Sequence, residues 1–212
     1  MRVATSDVVV IILASGRGQR IGCPKALLPW TNGMPLAVAH AQAALMLGAK
    51  AVVVVRADVA IRLRPVFRKL RSGLSDPIVV TSSSPSHEGP AGSIAASIHA
   101  GTLSNTRWCV FAPVDTPPPS SETFCSLIEA AVGDVEAVRV RWRSRVGHPV
   151  LVRSSVVASA YLGVQPVPLR TVLGGVRCAY VDVDDPNVVA NINTLEEYVA
   201  CCRSSFNRAE SI

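Results

Sequence analysis

The chain has 212 residues, 49% of them hydrophobic and 17% charged, and carries a formal net charge of +6. That size and apolar content suit one globular domain with a sizeable core and exclude a disordered chain. The positive balance fits a protein that handles phosphate. Aromatics at 5% and the lack of any base-stacking motif argue against nucleic acid as the partner.

The first element is the run VVVIIL at 8–13, a buried strand. It opens into a loop that holds Gly16, Gly18 and Gly22, threaded with Arg17, Arg20 and Lys25. Glycines let backbone N–H groups close on an anion and the cations offset its charge, so the loop points to phosphate. The alternative is a glycine turn with solvated cations. It is not a P-loop, because no G-x-x-x-x-G-K-[ST] occurs. It is not the dinucleotide fingerprint, because Gly22 comes one residue too late after Gly16-x-Gly18.

A helix is predicted from Pro35 to Leu47, with Gly48 at its C-terminal cap. A strand follows at 51–55, a basic helix at 58–71 ending near Gly73, and a strand at 77–81. Residues 82–92 read as a loop and 93–101 as a helix stopped by Gly101. The run at 107–112 is a strand. The proline-rich segment 113–119 cannot be regular structure, and it presents one carboxylate, Asp115, at the strand's end. Such a place suits Mg²⁺, which takes one or two carboxylates plus water and phosphate oxygens. Asp115 could equally be an ordinary turn aspartate. Ser120 or Ser121 caps a helix running to about Val132.

These nearly all-apolar strands, each followed by a helix, predict a doubly wound, mostly parallel sheet with ligands beyond the strands' carboxyl ends. The loops that matter are then 14–25, 56–58, 81–92 and 113–119. Beyond them, 136–144 alternates Val138, Val140 and Trp142 with Arg139, Arg141 and Arg143, and 147–153 returns as a hairpin partner. The arginine stripe, with Arg145, reads either as a solvated strand face or as a clamp for an anion. Gly147-His148-Pro149 sits at the hairpin's start, where a lone His is structural or faces the cleft. Helices at 154–162 and 168–173, a strand at 178–183 and a helix from Thr194 to about Cys202 follow. Asn191 and Asn193 precede that helix, whose cap is Asn193 or Thr194. Residues 204–212 read as a frayed tail. His40 and His99 fall within helices without an assigned role.

Six cysteines occur without a C-x-x-C pair, which reads as a reduced, cytosolic protein lacking structural disulfides or zinc. The apolar run near the N-terminus is too short for a signal peptide and flows into the glycine loop. No stretch approaches the roughly 20 apolar residues of a membrane span.

Four landmarks in register resemble the molybdenum cofactor nucleotidyltransferase-like family of NTP transferases. The family's opening L-A-[AG]-G-x-[SG]-x-R-[MLF]-G-x-x-K stands here as Leu13-Ala14-Ser15-Gly16-Arg17-Gly18-Gln19-Arg20-Ile21-Gly22-Cys23-Pro24-Lys25. Its P-x-D-x-P is Pro113-Val114-Asp115-Thr116-Pro117, its G-H-P is Gly147-His148-Pro149, and its closing motif is Asn191-Ile192-Asn193-Thr194-Leu195-Glu196-Glu197. Ser15 departs from the usual Ala or Gly, Leu195 from Pro, and Asn191 and Asn193 from the Asp of many cytidylyl members.

The resemblance implies a three-layer α/β/α, Rossmann-like fold of the nucleotide-diphospho-sugar transferase type. It implies a single domain over 1–203, with a nucleotide part to about residue 120 and an acceptor part after it. The implied reaction moves an NMP from an NTP, CTP or GTP favoured, to a phosphorylated acceptor such as molybdopterin, with Mg²⁺ and release of pyrophosphate. Arg20, Lys25 and Asp115 would be catalytic. Leu13, Ala14, Ser15, Gly16, Arg17, Gly18, Gly92 and Ser93 would bind nucleotide, with Gly89 in the same loop. His148 would face the acceptor, and Asp115, Asn191 and Asn193 would hold the metal. A molybdoenzyme or its chaperone is the protein partner so implied. The alternatives are transfer to a sugar 1-phosphate or other small phosphate, and a nucleotide-binding protein without turnover.

Overall fold

Seven strands build the centre of the molecule, seen in a computed structural model that describes residues 3–31, 33–69, 76–82, 89–163 and 165–209. They are β1 (Val8–Leu13), β2 (Lys50–Val55), β3 (Ile78–Thr81), β4 (Trp108–Pro113), β5 (Ala137–Trp142), β6 (Arg145–Arg153) and β7 (Cys178–Asp182). They form one sheet in the order β3-β2-β1-β4-β6-β5-β7. β1 pairs in parallel with β2 and β4, and β5 in parallel with β7. Only β6 runs against its neighbours. A two-residue turn, Arg143–Ser144, reverses the chain between β5 and β6 with both residues left-handed, φ 46° and 67°.

Helices cover both faces, which is why the central strands are apolar without alternation. Val8, Val10 and Ile12 face a core closed by α1 (Leu36–Met46), α2 (Ala57–Lys69) and α4 (Ser121–Glu129). Val9 and Ile11 face a second core, under α3 (Gly89–His99), α5 (Ser154–Tyr161) and α6 (Leu169–Gly174). The terminal helix α7 (Leu195–Ala209) adds Cys201 to the first core. Three layers, α/β/α, result.

Three boundaries differ from expectation, the first being α4, which ends at Glu129 and not near Val132. α3 starts at Gly89, not Ser93: Pro90 sits in the first turn, where its missing N–H is not needed. Part of the expected loop, 83–88, and Gly73 lie outside the described residues. α7 continues past Cys202 to Ala209, into the segment expected to fray; 210–212 are not among the described residues. Among the described residues no helix is long and apolar enough to cross a membrane.

Candidate active site

The carboxyl ends of β1, β2 and β4 open onto one cleft of about 710 Å³, a size that accommodates a nucleotide. The loop after β1 forms one wall. Gly18 has φ +63°, and a Cβ there would lie 1.9 Å from the Cys23 carbonyl oxygen, so no other residue fits. Its own carbonyl accepts the N–H groups of Ile21 and Gly22 at 3.1 and 3.0 Å. This tight turn displays Arg17, Gln19 and Arg20 along the cleft, exposed. Among the described residues no carboxylate pairs with Arg17 or Arg20. Cations held open in this way are suited to a polyanion.

At the root of that loop, Ser15 Oγ and Ser93 Oγ are 2.5 Å apart. The hydroxyl that departs from the family pattern therefore ties the loop to α3, whose Gly89, Pro90 and Ser93 line the cleft. Leu13 and Gly16 also line it. Ala14 is buried beneath, its N–H donating to the Val54 carbonyl at 2.9 Å, and Gly92 is buried within α3.

Lys25, Asp115 and Asn193 meet at the cleft's other end, brought there from three parts of the chain. Lys25 Nζ donates to Asn193 Oδ1 at 2.9 Å and lies 3.7 Å from Asp115 Oδ2. Asp115 is 43% exposed and Lys25 16%. The geometry follows from two local devices. The Ile192 N–H donates to the Asp115 carbonyl at 2.6 Å, which stitches the two segments together through a fully buried Ile192. A capping box opens α7: the Glu197 N–H donates to Thr194 Oγ1 at 3.2 Å, and Glu197 Oε2 accepts from the N–H groups of Asn193 and Thr194 at 2.7 and 3.0 Å. Thr194 is thus the cap, which leaves the Asn193 amide for Lys25. Asn191, exposed and outside the cleft lining, is not brought to this cluster.

Two oxygens of Asp115 and Asn193 already converge on one ammonium, so they can serve one cation. That donor set fits a hard divalent ion that completes its shell with water and substrate phosphate. Among the described residues no group of three His, Cys, Asp or Glu could hold an ion by itself.

His40 is a contributor that helical periodicity did not single out. It is buried in α1, and its Nε2–H donates to the Thr116 carbonyl at 2.9 Å, bracing the Asp115 loop from below. Its Nδ1 is buried without a partner. Burial lowers its pKa to about 4, against the pull of the Thr116 carbonyl and of Asp115. The folded state therefore keeps His40 neutral, while the unfolded chain takes up a proton below about 6.5. Stability is expected to be full above that pH and to fall as the pH drops towards 4, by up to about 3 kcal/mol. Urea unfolding across that window checks it, and His40→Gln should flatten the slope.

Arg56 and Asp58 were also not singled out. They line the cleft after β2 as a bidentate pair, Nε to Oδ1 at 3.0 Å and Nη2 to Oδ2 at 2.5 Å. Only their position after a strand's carboxyl end hinted at a role. Ser82, after β3, joins them.

The hairpin motif lies beside this cleft rather than in its lining. A Cβ on Gly147 would fall 1.8 Å from the Val188 carbonyl oxygen, so the short 3-10 turn Pro186–Val189 packs directly on the Gly147 backbone. Gly147→Ala is expected to destabilise by on the order of 2 kcal/mol, because that carbonyl must move. A melting temperature lowered by several degrees would show it. His148 follows, half-buried, its Nδ1 buried without a partner. Burial pushes its pKa down, Asp115 pulls it up and Arg139 pushes it down, so the ring is neutral near pH 7.

No curated protein matches this chain. Among solved structures, the homologue of Mycobacterium tuberculosis rv0371c from Mycobacterium sp. strain JC1 superposes with a TM-score of 0.73 at 20% identity, covering 98% of this chain and 99% of that one. Rv0371C of M. tuberculosis H37Rv, in complex with manganese, gives 0.68 at 19%, covering 93% and 99%. Mth528, a nucleotidyl transferase from Methanothermobacter, gives 0.71 at 21%, covering 95% and 98%. These likenesses establish the fold. A model of the MobA-like NTP transferase domain matches residues 10–181, most of the chain, and the protein therefore belongs to that family of nucleotidyltransferases.

Proposed function

We propose that the protein transfers a nucleoside monophosphate from CTP or GTP to a phosphorylated acceptor, molybdopterin foremost, and releases pyrophosphate. The observation that carries this is the meeting of Lys25, Asp115 and Asn193 at the end of a cleft whose opposite wall is a glycine loop with two arginines that pair with no carboxylate among the described residues. Arg17 and Arg20 hold the β- and γ-phosphates. The backbone around Ser15, Gly16 and Gly18 follows the triphosphate, and Ser15, Ser93 and Arg56–Asp58 face the nucleoside.

An acceptor phosphate oxygen attacks the α-phosphorus. The bond from that phosphorus to the bridging oxygen breaks, and pyrophosphate leaves with its electron pair. The attacking phosphate is already ionised, so the site needs no nucleophilic side chain and no strong base. The barrier is the approach of one anion to another, and positioning with charge neutralisation lowers it. Lys25, released from Asn193, stabilises charge at the α-phosphate. A divalent ion, Mg²⁺ or the Mn²⁺ found with Rv0371C, would be held by Asp115 and Asn193 and would supply neutralising positive charge.

Pyrophosphate release should be assayed with each NTP, with Mg²⁺ or Mn²⁺, and with molybdopterin or sugar 1-phosphates as acceptor. Release with CTP or GTP and molybdopterin is the expected result. Release only with a sugar phosphate replaces the acceptor. Tight NTP binding without release under any condition would overturn catalysis in favour of a binding protein.

A further inference from the structure

We propose that Arg139, with His148 beside it, forms the subsite that grips the phosphate of the acceptor. The inference rests on the nucleotidyltransfer reading for what carries that phosphate. The sheet register gives the placement. Phe111 on β4 pairs with Val150 on β6, Val150 with Arg139 on β5, and Arg139 with Tyr180 on β7. Cross-strand partners share a face, so Arg139 lies on the side of the sheet that carries Phe111 and Val150. His148 stands two residues before Val150, in the stretch where the β5–β6 register slips. The β4–β6 ladder ends at Phe111 and Val150, two residues short of both Pro113 and His148, and Asp115 lies two residues beyond Pro113. A row of groups therefore leads from Asp115 through His148 to Arg139, and the His148 ring senses both charges.

The arginine stripe divides along this line. Arg141 is spent on Asp182, Nε to Oδ1 at 3.1 Å and Nη2 to Oδ2 at 2.8 Å. Arg143 lies in the exposed turn, stacked at 4.6 Å on Trp142. Arg139 alone of the stripe is half-buried and, among the described residues, without a carboxylate. Its Nε is buried with no partner, and its guanidinium is steadied 6.0 Å from the Tyr180 ring centre. A partly desolvated cation with no counter-ion is costly unless an anion arrives. The neighbouring His148 Nδ1 is buried and equally unpartnered. A guanidinium fork and a neutral imidazole, both open, match a phosphate monoester, which offers two oxygens to the fork and a third to the ring.

The test is a titration of the whole protein with inorganic phosphate, followed at the ring resonances of His148 and Tyr180 by NMR. The amides of Gly16 and Gly18 are read in parallel on titration with CTP and GTP. In the wild type, His148 and Tyr180 are expected to shift and saturate. Arg139→Gln should weaken that binding at least about tenfold, Arg139→Lys should restore part of it, and Arg143→Gln should bind as the wild type does. Rings that do not move with phosphate in the wild type overturn the subsite, as does equal binding by a folded Arg139→Gln. Failure of CTP and GTP to move Gly16 and Gly18 would instead count against the nucleotidyltransfer reading, and the phosphate result at His148 and Tyr180 is read separately.

Discussion

Asp115→Asn is expected to lower the rate of pyrophosphate release by at least about 10²- to 10³-fold while leaving the melting temperature nearly unchanged. The substitution keeps the size and shape of the side chain and removes its charge. The backbone of residue 115 still accepts the Ile192 N–H, so the two segments stay joined. The lost attraction to Lys25 spans 3.7 Å at a carboxylate 43% exposed, and such a pair contributes no more than about 1 kcal/mol. What is lost is the carboxylate of the cluster with Lys25 and Asn193, and with it the proposed hold on a divalent ion. Parallel assays of melting and of turnover separate the two effects. A rate within a few-fold of wild type would remove Asp115 from the reaction.

Lys25→Met should cost a comparable factor, about 10²-fold or more, and Lys25→Arg should not recover it. Lys25 is only 16% exposed and reaches two oxygens on different segments as a compact point charge. A planar guanidinium cannot take that place without displacing one of them. A second readout follows from the same geometry. In the free protein the Lys25 ammonium holds the oxygens that the proposed metal would use. Lys25→Met should therefore bind Mn²⁺ more tightly than wild type in the absence of nucleotide, although it turns over slowly. Paramagnetic relaxation of water protons measures this. Weaker Mn²⁺ binding in the variant would show that Lys25 does not compete for those oxygens.

Much of this was legible in residues alone. VVVIIL announces a strand covered on both faces, and the structure shows why: alternate side chains enter two separate cores. The β5–β6 hairpin was visible because Val138 and Val140 alternate with arginines, and a cap at Ser120 or Ser121 because a hydroxyl precedes a helical run; the structure gives it to Ser120, which accepts the Thr123 N–H. The start of α3 was not legible, since Gly89 and Pro90 read as breakers until one knows that Pro90 occupies the first turn. Neither was the strand order, which depends on pairing between distant segments. His40 was missed for a similar reason. A pattern of helical spacing records that a face is buried, but the Thr116 carbonyl that gives the imidazole its purpose lies 76 residues away. The division of the arginine stripe needed Asp182 and Tyr180, supplied by a strand that pairs with β5 only in the folded sheet.

The bond from Lys25 to Asn193 joins residues 168 positions apart. On the ribosome, the glycine loop and Asp115 emerge long before Asn193 does. A chain halted short of Asn193 would hold the phosphate grip and the carboxylate but not the amide that completes their cluster. On the nucleotidyltransfer proposal it would capture a triphosphate without being able to use it. On that proposal, competence waits for the segment that carries Asn193.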